Sequence, residues 1–241
     1  MQKNLPKHVV LMMDGNRRWA KKKGLPSWRG HYQGAETLKS LIESLSKVKE
    51  AKVGFVSFWG GSISNLTARP QKEIEALFDV YGKYFAMLSK RKELKEWDIR
   101  VRIIGDWKKI LPAKVAKIFD GIIKKTKHHR RLNLTFLIAY DGKEEMKSAI
   151  SRIVALKLKN NKLKVTEDLV KRNLWTKDLP LVDLVVRTGV ENDPHWSAGF
   201  MMWDCAETQL YFTKTLWPDF TAKEFEKAVQ SYTKVQRRFG K

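Results

Sequence analysis

Short apolar runs alternate with longer amphipathic stretches along this chain, and this alternation restricts the fold more than any other feature. The runs are His8–Met13, Val53–Trp59, Ile99–Ile104, Leu132–Ala139 and Leu184–Arg187, with a further short strand expected at Leu210–Thr213. Strands separated by helices form mostly parallel sheets that carry helices on their faces. We therefore expect one α/β domain over residues 1–241, with a mostly parallel central sheet flanked by helices.

Apolar stripes with helical spacing lie between the runs. One stripe consists of Ala35, Leu38, Leu41, Ile42, Leu45 and Val48, and a second of Ile74, Leu77, Phe78, Tyr81, Phe85 and Leu88. The second begins just after Pro70, a residue favoured in the first turn of a helix. Near the C-terminus, Thr221-Ala-Lys-Glu224 has the pattern of a capping box, which predicts the start of a last helix.

The loop after the first run carries one acid, one glycine and two bases: Asp14, Gly15, Arg17 and Arg18. Ligands of parallel sheets bind beyond the carboxyl ends of the strands, where this loop is expected. A carboxylate supplies oxygen to a hard cation such as Mg²⁺, and guanidinium groups hold phosphate oxygens. The loop therefore indicates a magnesium diphosphate site, although an Asp-Gly turn followed by solvated arginines explains the same residues when the loop is taken alone.

Three further segments have the same chemistry in weaker form. Arg187-Thr-Gly-Val-Glu191 follows an apolar run, the glycine-rich loop Gly60–Pro70 ends in Arg69-Pro70, and His31 lies near the start of the first amphipathic helix. A histidine at a helix N-terminus can donate to a phosphate. By itself, His31 equally fits an ordinary cap or a surface residue.

The chain contains 48 Lys and Arg against 26 Asp and Glu, a formal net charge of +22. Such an excess predicts anionic partners, namely phosphates, nucleic acid or an anionic membrane surface. The clusters Lys21–Lys23 and Lys157–Lys164 also fit plain solvated faces.

The single Cys205 excludes an intramolecular disulfide and a cysteine-based zinc site, so a reducing cytoplasm is expected. The run His8–Met13 is too short for a signal peptide or a membrane span, so we expect membrane contact to be peripheral.

Taken in chain order, six motifs resemble those of the cis-prenyltransferases, whose best-known member is undecaprenyl diphosphate synthase. The motifs are Met13-Asp-Gly-Asn-x-Arg-Trp-Ala20, Gly30-His31, Arg69-Pro70, Arg187-Thr-Gly-x-Glu191, Trp217-Pro-Asp-Phe220 and Arg237-Arg-Phe-Gly240. The resemblance implies a hydrophobic tunnel, a homodimer and Mg²⁺-dependent prenyl transfer. In that reaction isopentenyl diphosphate condenses with an allylic diphosphate, such as farnesyl or geranyl diphosphate, to form a cis-polyprenyl diphosphate.

The resemblance also implies roles for individual residues. Asp14 is the metal ligand, and Asp14 and Asn16 are catalytic. The allylic diphosphate pocket consists of Gly15, Asn16, Arg17, Arg18, Arg29, His31 and Arg69, and the isopentenyl diphosphate site of Arg187, Glu191, Ser197, Arg238 and Gly240. The C-terminal tail is expected to reach the neighbouring subunit's site. The helix around Ile74–Leu88 is expected to line the tunnel, where Phe78, Tyr81 and Phe85 either face the product or pack behind it.

Several positions depart from the family pattern. Ser27 stands where the family has an arginine before Gly-His, with Arg29 as a nearby substitute. The stretch Asn192–Ser197 is longer than usual and lacks the family's arginine, which His195 or a lysine replaces. Gln209 occupies the place of an acid that contacts metal in the family. Metal and isopentenyl diphosphate binding are therefore the least secure parts of the resemblance.

Two other functions remain open at this point. The departures favour a catalytically inactive family member that serves as a scaffold or partner subunit. The charge and the many aromatic residues favour a nucleic-acid-binding protein, but the bases are spread along every predicted helix rather than gathered in one stripe. Attraction to diphosphates and to the anionic inner face of a membrane that receives a lipid product explains the charge more simply, without nucleic acid. Product length and the preferred allylic primer are not encoded in any motif.

Overall fold

Six strands form one sheet at the centre of the protein, in a computed structural model that describes residues 5–47, 53–191 and 194–234. They are β1 His8–Met12, β2 Phe55–Gly61, β3 Ile99–Ile104, β4 Leu132–Ile138, β5 Leu184–Arg187 and β6 Gln209–Phe212. The order across the sheet is β3-β4-β2-β1-β5-β6, and every neighbouring pair is parallel. All six predicted strands are confirmed, and β2 is shifted by two residues towards its glycines.

Helices connect the strands, and a last helix follows β6. They are α1 Asn16–Lys22, α2 Ser27–Lys47, α3 Ile63–Thr67, α4 Gln71–Lys90, α5 Glu93–Glu96, α6 Trp107–Ile110, α7 Ala113–Thr126, α8 Gly142–Lys159, α9 Glu167–Asn173 and α10 Ala222–Tyr232. A short 3₁₀ helix covers Trp217–Asp219. The predicted capping box is present at the start of α10, where the Thr221 and Glu224 side chains each bond the other's backbone N–H.

The sheet is buried on both faces, as a parallel sheet requires. In β1, Val9 and Leu11 belong to a large core that also contains residues of α2, α4 and α7. Val10 and Met12, which alternate with them, belong to a smaller core on the other face. This alternation explains why the first run is continuously apolar rather than amphipathic.

Both predicted stripes lie on buried helix faces, of α2 and α4. Leu41 and Ile42 of α2 and Leu77 and Phe85 of α4 are buried in the large core. Val48, at the end of the first predicted stripe, lies outside the described residues. The two helices pack against each other over the sheet and enclose an apolar space between them.

Within the described ranges, no helix combines the length and the apolar character that crossing a membrane requires.

Candidate active site

The loop after β1 is fixed by two separate parts of the chain. The Asp14 carbonyl accepts hydrogen bonds from the Thr188 hydroxyl at 2.8 Å and from the Trp217 backbone N–H at 3.0 Å. Gly15 has a φ of +109°, a conformation that glycine adopts without the strain other residues incur. The chain therefore turns sharply after β1 and begins α1, which leaves the Asp14 side chain at the carboxyl edge of the sheet.

The Asp14 carboxylate lies between two guanidinium groups. Arg18 Nη2 is 3.1 Å from Oδ1, and Arg187 Nη2 is 3.1 Å from Oδ2. The Gly15 backbone N–H also donates to Oδ1, at 2.6 Å. Arg187 is buried, yet the Asp14 side chain remains 43% exposed. The carboxylate is thus held in a fixed orientation by these donors, and it still has accessible lone pairs for a further ligand.

Asn16 lies where α1 packs most tightly on α2. A side chain at Gly30 would bring its Cβ within 2.0 Å of the Asn16 carbonyl, and one at Gly34 within 2.3 Å of Asn16 Oδ1. The two glycines therefore let α2 approach α1 this closely. Asn16 Oδ1 is buried and has no hydrogen-bond partner among the described residues. This oxygen thus faces the backbone of α2 at Gly34, and the Asn16 Nδ2 amide lies 3.4 Å from the Met13 carbonyl.

Glu73, at the start of α4, is the centre of a polar cluster that the sequence did not predict. It is 2% exposed. Its Oε1 is 2.9 Å from His31 Nε2 and 2.7 Å from Arg69 Nη1. Its Oε2 accepts from the Ser27 hydroxyl at 3.1 Å and lies 3.6 Å from Arg17 Nε. One buried carboxylate therefore orients three of the residues predicted to bind the allylic diphosphate.

The cluster keeps His31 uncharged and Glu73 charged. Burial lowers the pKa of His31, an effect that the hydrogen bond to Glu73 opposes and the nearby Arg69 charge adds to. Burial alone would raise the pKa of Glu73. The hydrogen bond from His31 and the charges of Arg69 and Arg17 outweigh that effect and hold its pKa below the ordinary value. The surplus positive charge of the two arginines remains available to an anion.

These side chains surround two adjoining spaces. A polar pocket of about 490 Å³ is lined by Met13, Asp14, Gly15, Asn16, Arg17, Arg18, Lys21, Ser27, His31 and Arg69. A catalytic cavity of about 390 Å³ shares Met13, Asp14, Asn16, His31 and Arg69 with that pocket and extends along Leu77, Tyr81, Phe85, Phe136 and Ile138. Tyr81 and Phe85 therefore line the cavity, whereas Phe78 packs partly buried against the core. The site is charged at one end and apolar along its length.

Arg187 connects this site to the segment before Ser197. Its Nη1 donates to the His195 carbonyl, and its Nη2 is 3.2 Å from His195 Nε2. Arg187 Nε is buried without a partner among the described residues. Ser197 lines the catalytic cavity beside Arg187, whereas Glu191 forms an ion pair with Lys22 at 3.6 Å. The structure thus brings Arg187, His195 and Ser197 together and leaves Glu191 at the margin.

Comparisons with known proteins agree with this geometry. Residues 12–240 match the family described as putative undecaprenyl diphosphate synthase. The chain is 37% identical to an isoprenyl transferase of Thermotoga maritima, over 98% of this chain and 97% of that protein. It is 34% identical to a ditrans,polycis-undecaprenyl-diphosphate synthase, (2E,6E)-farnesyl-diphosphate specific, of Coxiella burnetii, over 98% of this chain and 96% of that protein.

A solved structure shows the same fold. Lavandulyl diphosphate synthase from Lavandula x intermedia, in complex with dimethylallyl diphosphate, has a TM-score of 0.85 and 26% identity to this chain, and the match covers 98% of this chain and 99% of that one. The family match over almost the whole chain decides the classification. This chain belongs to the undecaprenyl diphosphate synthase family.

One of the predicted allylic residues does not lie at the cis-prenyltransferase site. Arg29 stacks on the Trp28 ring at 4.5 Å on the outer side of α2, and it lines neither the polar pocket nor the catalytic cavity. It is Arg17 that lies beside Ser27, because both contact Glu73 Oε2. Arg17 is therefore better placed than Arg29 to substitute for the arginine missing at Ser27.

Gln209 also lies away from the cis-prenyltransferase site of its own chain. The strand register pairs Gln209 with Leu184, at the start of β5, and Phe212 with Arg187, at its end. Asp204, a nearby acid, is buried in an ion pair with Lys171. Neither residue lies beside Asp14, so the loss of an acid at position 209 leaves the Asp14 loop unaltered.

The donor set of the cis-prenyltransferase site fits a hard cation held jointly with phosphates. The described part of the chain contains no group of three or more His, Cys, Asp or Glu side chains that could hold a metal by themselves. Asp14 supplies an accessible carboxylate. Mg²⁺ commonly binds through one or two carboxylates plus the phosphates of a substrate and water. Arg238, Gly240 and Asn192 lie outside the described residues.

Proposed function

We propose that this protein is a Mg²⁺-dependent cis-prenyltransferase that condenses isopentenyl diphosphate with farnesyl or geranyl diphosphate and releases diphosphate. One observation supports this most directly. The Asp14 carboxylate lies between Arg18 and Arg187 at the charged end of an otherwise apolar cavity. A lipid diphosphate has the same division between a charged head and an apolar tail.

The allylic diphosphate binds in the polar pocket. Arg17, Arg18 and Arg69 supply positive charge there, and Glu73 orients Arg17 and Arg69. The allylic tail extends along the cavity past Tyr81 and Phe85. Because the arginines are already in place before the reaction, they stabilise the charge that develops on the departing diphosphate without reorganisation.

Isopentenyl diphosphate binds at Arg187, with Ser197 beside it. Its C4 carbon, the terminal carbon of the double bond, attacks C1 of the allylic substrate, and the C1–O bond breaks as the new C–C bond forms. The electron pair of the C1–O bond leaves with the diphosphate. A proton then leaves C2 of the isopentenyl unit and goes to an oxygen of the diphosphate, which the Asn16 amide helps to hold. Loss of this proton sets the new double bond in the cis configuration.

Asp14 is the residue that would hold Mg²⁺. The cation would neutralise part of the diphosphate charge and favour its departure. The chain's own contribution is to hold the Asp14 carboxylate between Arg18 and Arg187 and to orient it through the Gly15 N–H.

The active form is a homodimer with peripheral membrane contact. β6 is an edge strand, and its Leu210 is exposed, as is Met202 nearby. A second copy that covers this edge would bury both side chains and protect unpaired backbone groups. Size-exclusion chromatography with light scattering measures the assembly directly. A monomer at all concentrations would contradict it.

Replacement of Asp14 tests the proposed chemistry. Asp14→Ala is expected to abolish extension of farnesyl diphosphate, because it removes the carboxylate that lies between Arg18 and Arg187 at the charged end of the cavity. Asp120→Ala is the matched control, since Asp120 is exposed on α7 and pairs only with Lys108. Circular dichroism establishes that both variants are folded. Substantial retained turnover in Asp14→Ala would refute the assignment.

A further inference from the structure

Three helices end at the edge of the sheet opposite the active site. Each of α2, α4 and α8 follows a strand and carries the chain back towards the start of a parallel strand. They contain 21, 20 and 18 residues, so each spans roughly 30 Å at 1.5 Å per residue. Their C-terminal ends therefore lie near the amino-terminal edge of the sheet, whereas Asp14 lies at the carboxyl edge. We call this the far edge.

The apolar space of the catalytic cavity continues to the far edge. A second cavity of about 190 Å³ shares Ala35, Leu38, Tyr84, Phe85 and Phe136 with the catalytic cavity. It ends at Ile42, Met87 and Leu88, near the C-terminal ends of α2 and α4, and Met87 is 42% exposed. Arg91 on its rim pairs with Glu43 at 2.8 Å. The two adjoining cavities thus reach the far edge beside Met87, and we call this opening the mouth.

The end of α8 and the turn after it present lysines and aliphatic side chains together. We define residues 157–165 as the lysine tip. Leu158 is 83% exposed and Val165 61% exposed. The tip contains four lysines, Lys157, Lys159, Lys162 and Lys164, and neither Asp nor Glu. The sequence alone was compatible with a plain solvated face, but exposed Leu and Val side chains among lysines are not explained by solvation.

The lysine tip is an ordered turn rather than a loose segment. Lys157 Nζ donates to the Leu163 carbonyl at 2.9 Å and also to the Asn161 carbonyl. The Lys162 backbone N–H donates to Asn160 Oδ1 at 3.1 Å. The side chains of the other three lysines are exposed, together with that of Leu158.

An anionic lipid bilayer fits this surface better than a protein or nucleic acid partner. A second copy of the chain would bring two positive tips together, which is unfavourable. Proteins that bind nucleic acid without sequence specificity combine basic side chains with aromatic side chains that stack on the nucleobases. The lysine tip contains no aromatic residue. Lysines beside exposed aliphatic side chains suit the interface of an anionic membrane, where the amines meet head groups and the alkyl groups enter the acyl boundary.

We propose that the far edge is the membrane-facing surface, with the lysine tip as its anchor and the mouth at Met87 open towards the bilayer. The benefit of this arrangement depends on the proposed function. The diphosphate is held at the carboxyl edge while the growing tail leaves through the opposite edge into lipid. Binding itself does not depend on turnover, so the two proposals fail separately.

Vesicle sedimentation tests the anchor. The full chain is expected to bind vesicles of phosphatidylglycerol and phosphatidylcholine but not vesicles of phosphatidylcholine alone. The triple variant K159Q/K162Q/K164Q is expected to bind the anionic vesicles on the order of a hundredfold more weakly, since each lysine near such a surface contributes about a fivefold effect. The triple variant K114Q/K117Q/K177Q removes the same charge elsewhere and should bind like the wild type. Asp14→Ala should also bind like the wild type, whether or not it transfers prenyl groups.

A dye that reports a water-free environment tests the orientation. In a Cys205→Ser background, labels at Leu158→Cys and Met87→Cys are expected to shift to the blue on anionic vesicles, whereas a label at Lys117→Cys is not. The proposal is overturned if the wild type ignores anionic vesicles, if both triple variants lose binding equally, or if only the Lys117 label shifts. Tight binding to RNA with none to vesicles would overturn it in favour of a nucleic acid partner.

Discussion

Arg17 provides the sharpest test of the allylic pocket, because sequence and structure assign its role to different residues. The sequence pattern places Arg29 closer to the family's missing arginine at Ser27. The structure instead puts Arg17 Nε 3.6 Å from Glu73 Oε2, the atom that Ser27 also contacts. We therefore expect Arg17→Ala to weaken allylic substrate use and Arg29→Ala to have almost no effect.

The magnitude follows from the kind of contact that is lost. A hydrogen bond to a charged group contributes about 1.5–3 kcal/mol, which corresponds to roughly a 10- to 150-fold fall in kcat/KM for the allylic substrate. Arg17 is solvent-accessible in the free protein, so its ion pair with Glu73 adds little stability and the variant should fold normally. Arg29 is exposed and stacks on the Trp28 ring away from both cavities, so its loss should change kcat/KM by less than about twofold.

A restored arginine completes the test. Ser27→Arg in the Arg17→Ala background places a guanidinium beside Glu73 from α2 instead of α1, and it should recover most of the lost kcat/KM. The assay follows labelled isopentenyl diphosphate at varied farnesyl diphosphate, with the melting temperature of each variant as a control for folding. If Arg29→Ala is as harmful as Arg17→Ala, or if the double variant recovers nothing, the reasoning from Glu73 is refuted.

Three further predictions concern the buried polar groups and the cavity. Glu73→Gln should lower the free energy of unfolding by about 3 kcal/mol, because it leaves the Arg69 charge without its carboxylate; an unchanged urea midpoint would contradict this. Burial lowers the pKa of His8 from 6.5 to about 4, so the unfolded chain takes up the proton first as the pH falls. The stability that His8 contributes is complete above pH 6.5 and disappears towards pH 4, with a loss of about 2 kcal/mol between pH 7 and pH 5 that His8→Gln should remove; equal pH slopes in the two proteins would disprove it. The ring centroids of Phe85 and Phe136 are 4.8 Å apart where the two cavities meet, so Phe85→Leu should shift the product ladder to longer chains. An identical ladder would show that this contact does not limit product length.

The fold was predictable because the central strands are buried on both faces. A strand such as β4, whose residues are all buried, appears in the sequence as a mostly apolar run, with Asn133 and Thr135 as its polar residues, between amphipathic helices. The carboxyl-edge rule then located the Asp14 and Arg187 loops, which the structure places 3.1 Å apart through their side chains although 173 positions separate them. Short-range pattern and parallel topology were sufficient for these elements.

The rest of the site depends on contacts that no local pattern encodes. Glu73 is the clearest case, since an acid in the first turn of a helix is normally explained by the helix dipole. The available signal was its spacing of four and eight residues from Leu77 and Tyr81, which puts it on the buried stripe. Proximity in sequence indicates Arg29 as the substitute for the arginine missing at Ser27, whereas the packing of α1 on α2, which brings Arg17 there, is seen only in the structure.

The most direct test of the account is prenyl transfer by the purified protein. The protein is incubated with labelled isopentenyl diphosphate, farnesyl or geranyl diphosphate and Mg²⁺, and the products are sized by chromatography. We predict a ladder of extended products that disappears with EDTA and is absent from Asp14→Ala. No extension of any primer by well-folded protein would contradict the account, favour an inactive scaffold and direct attention to Gln209 and the Asn192–Ser197 segment.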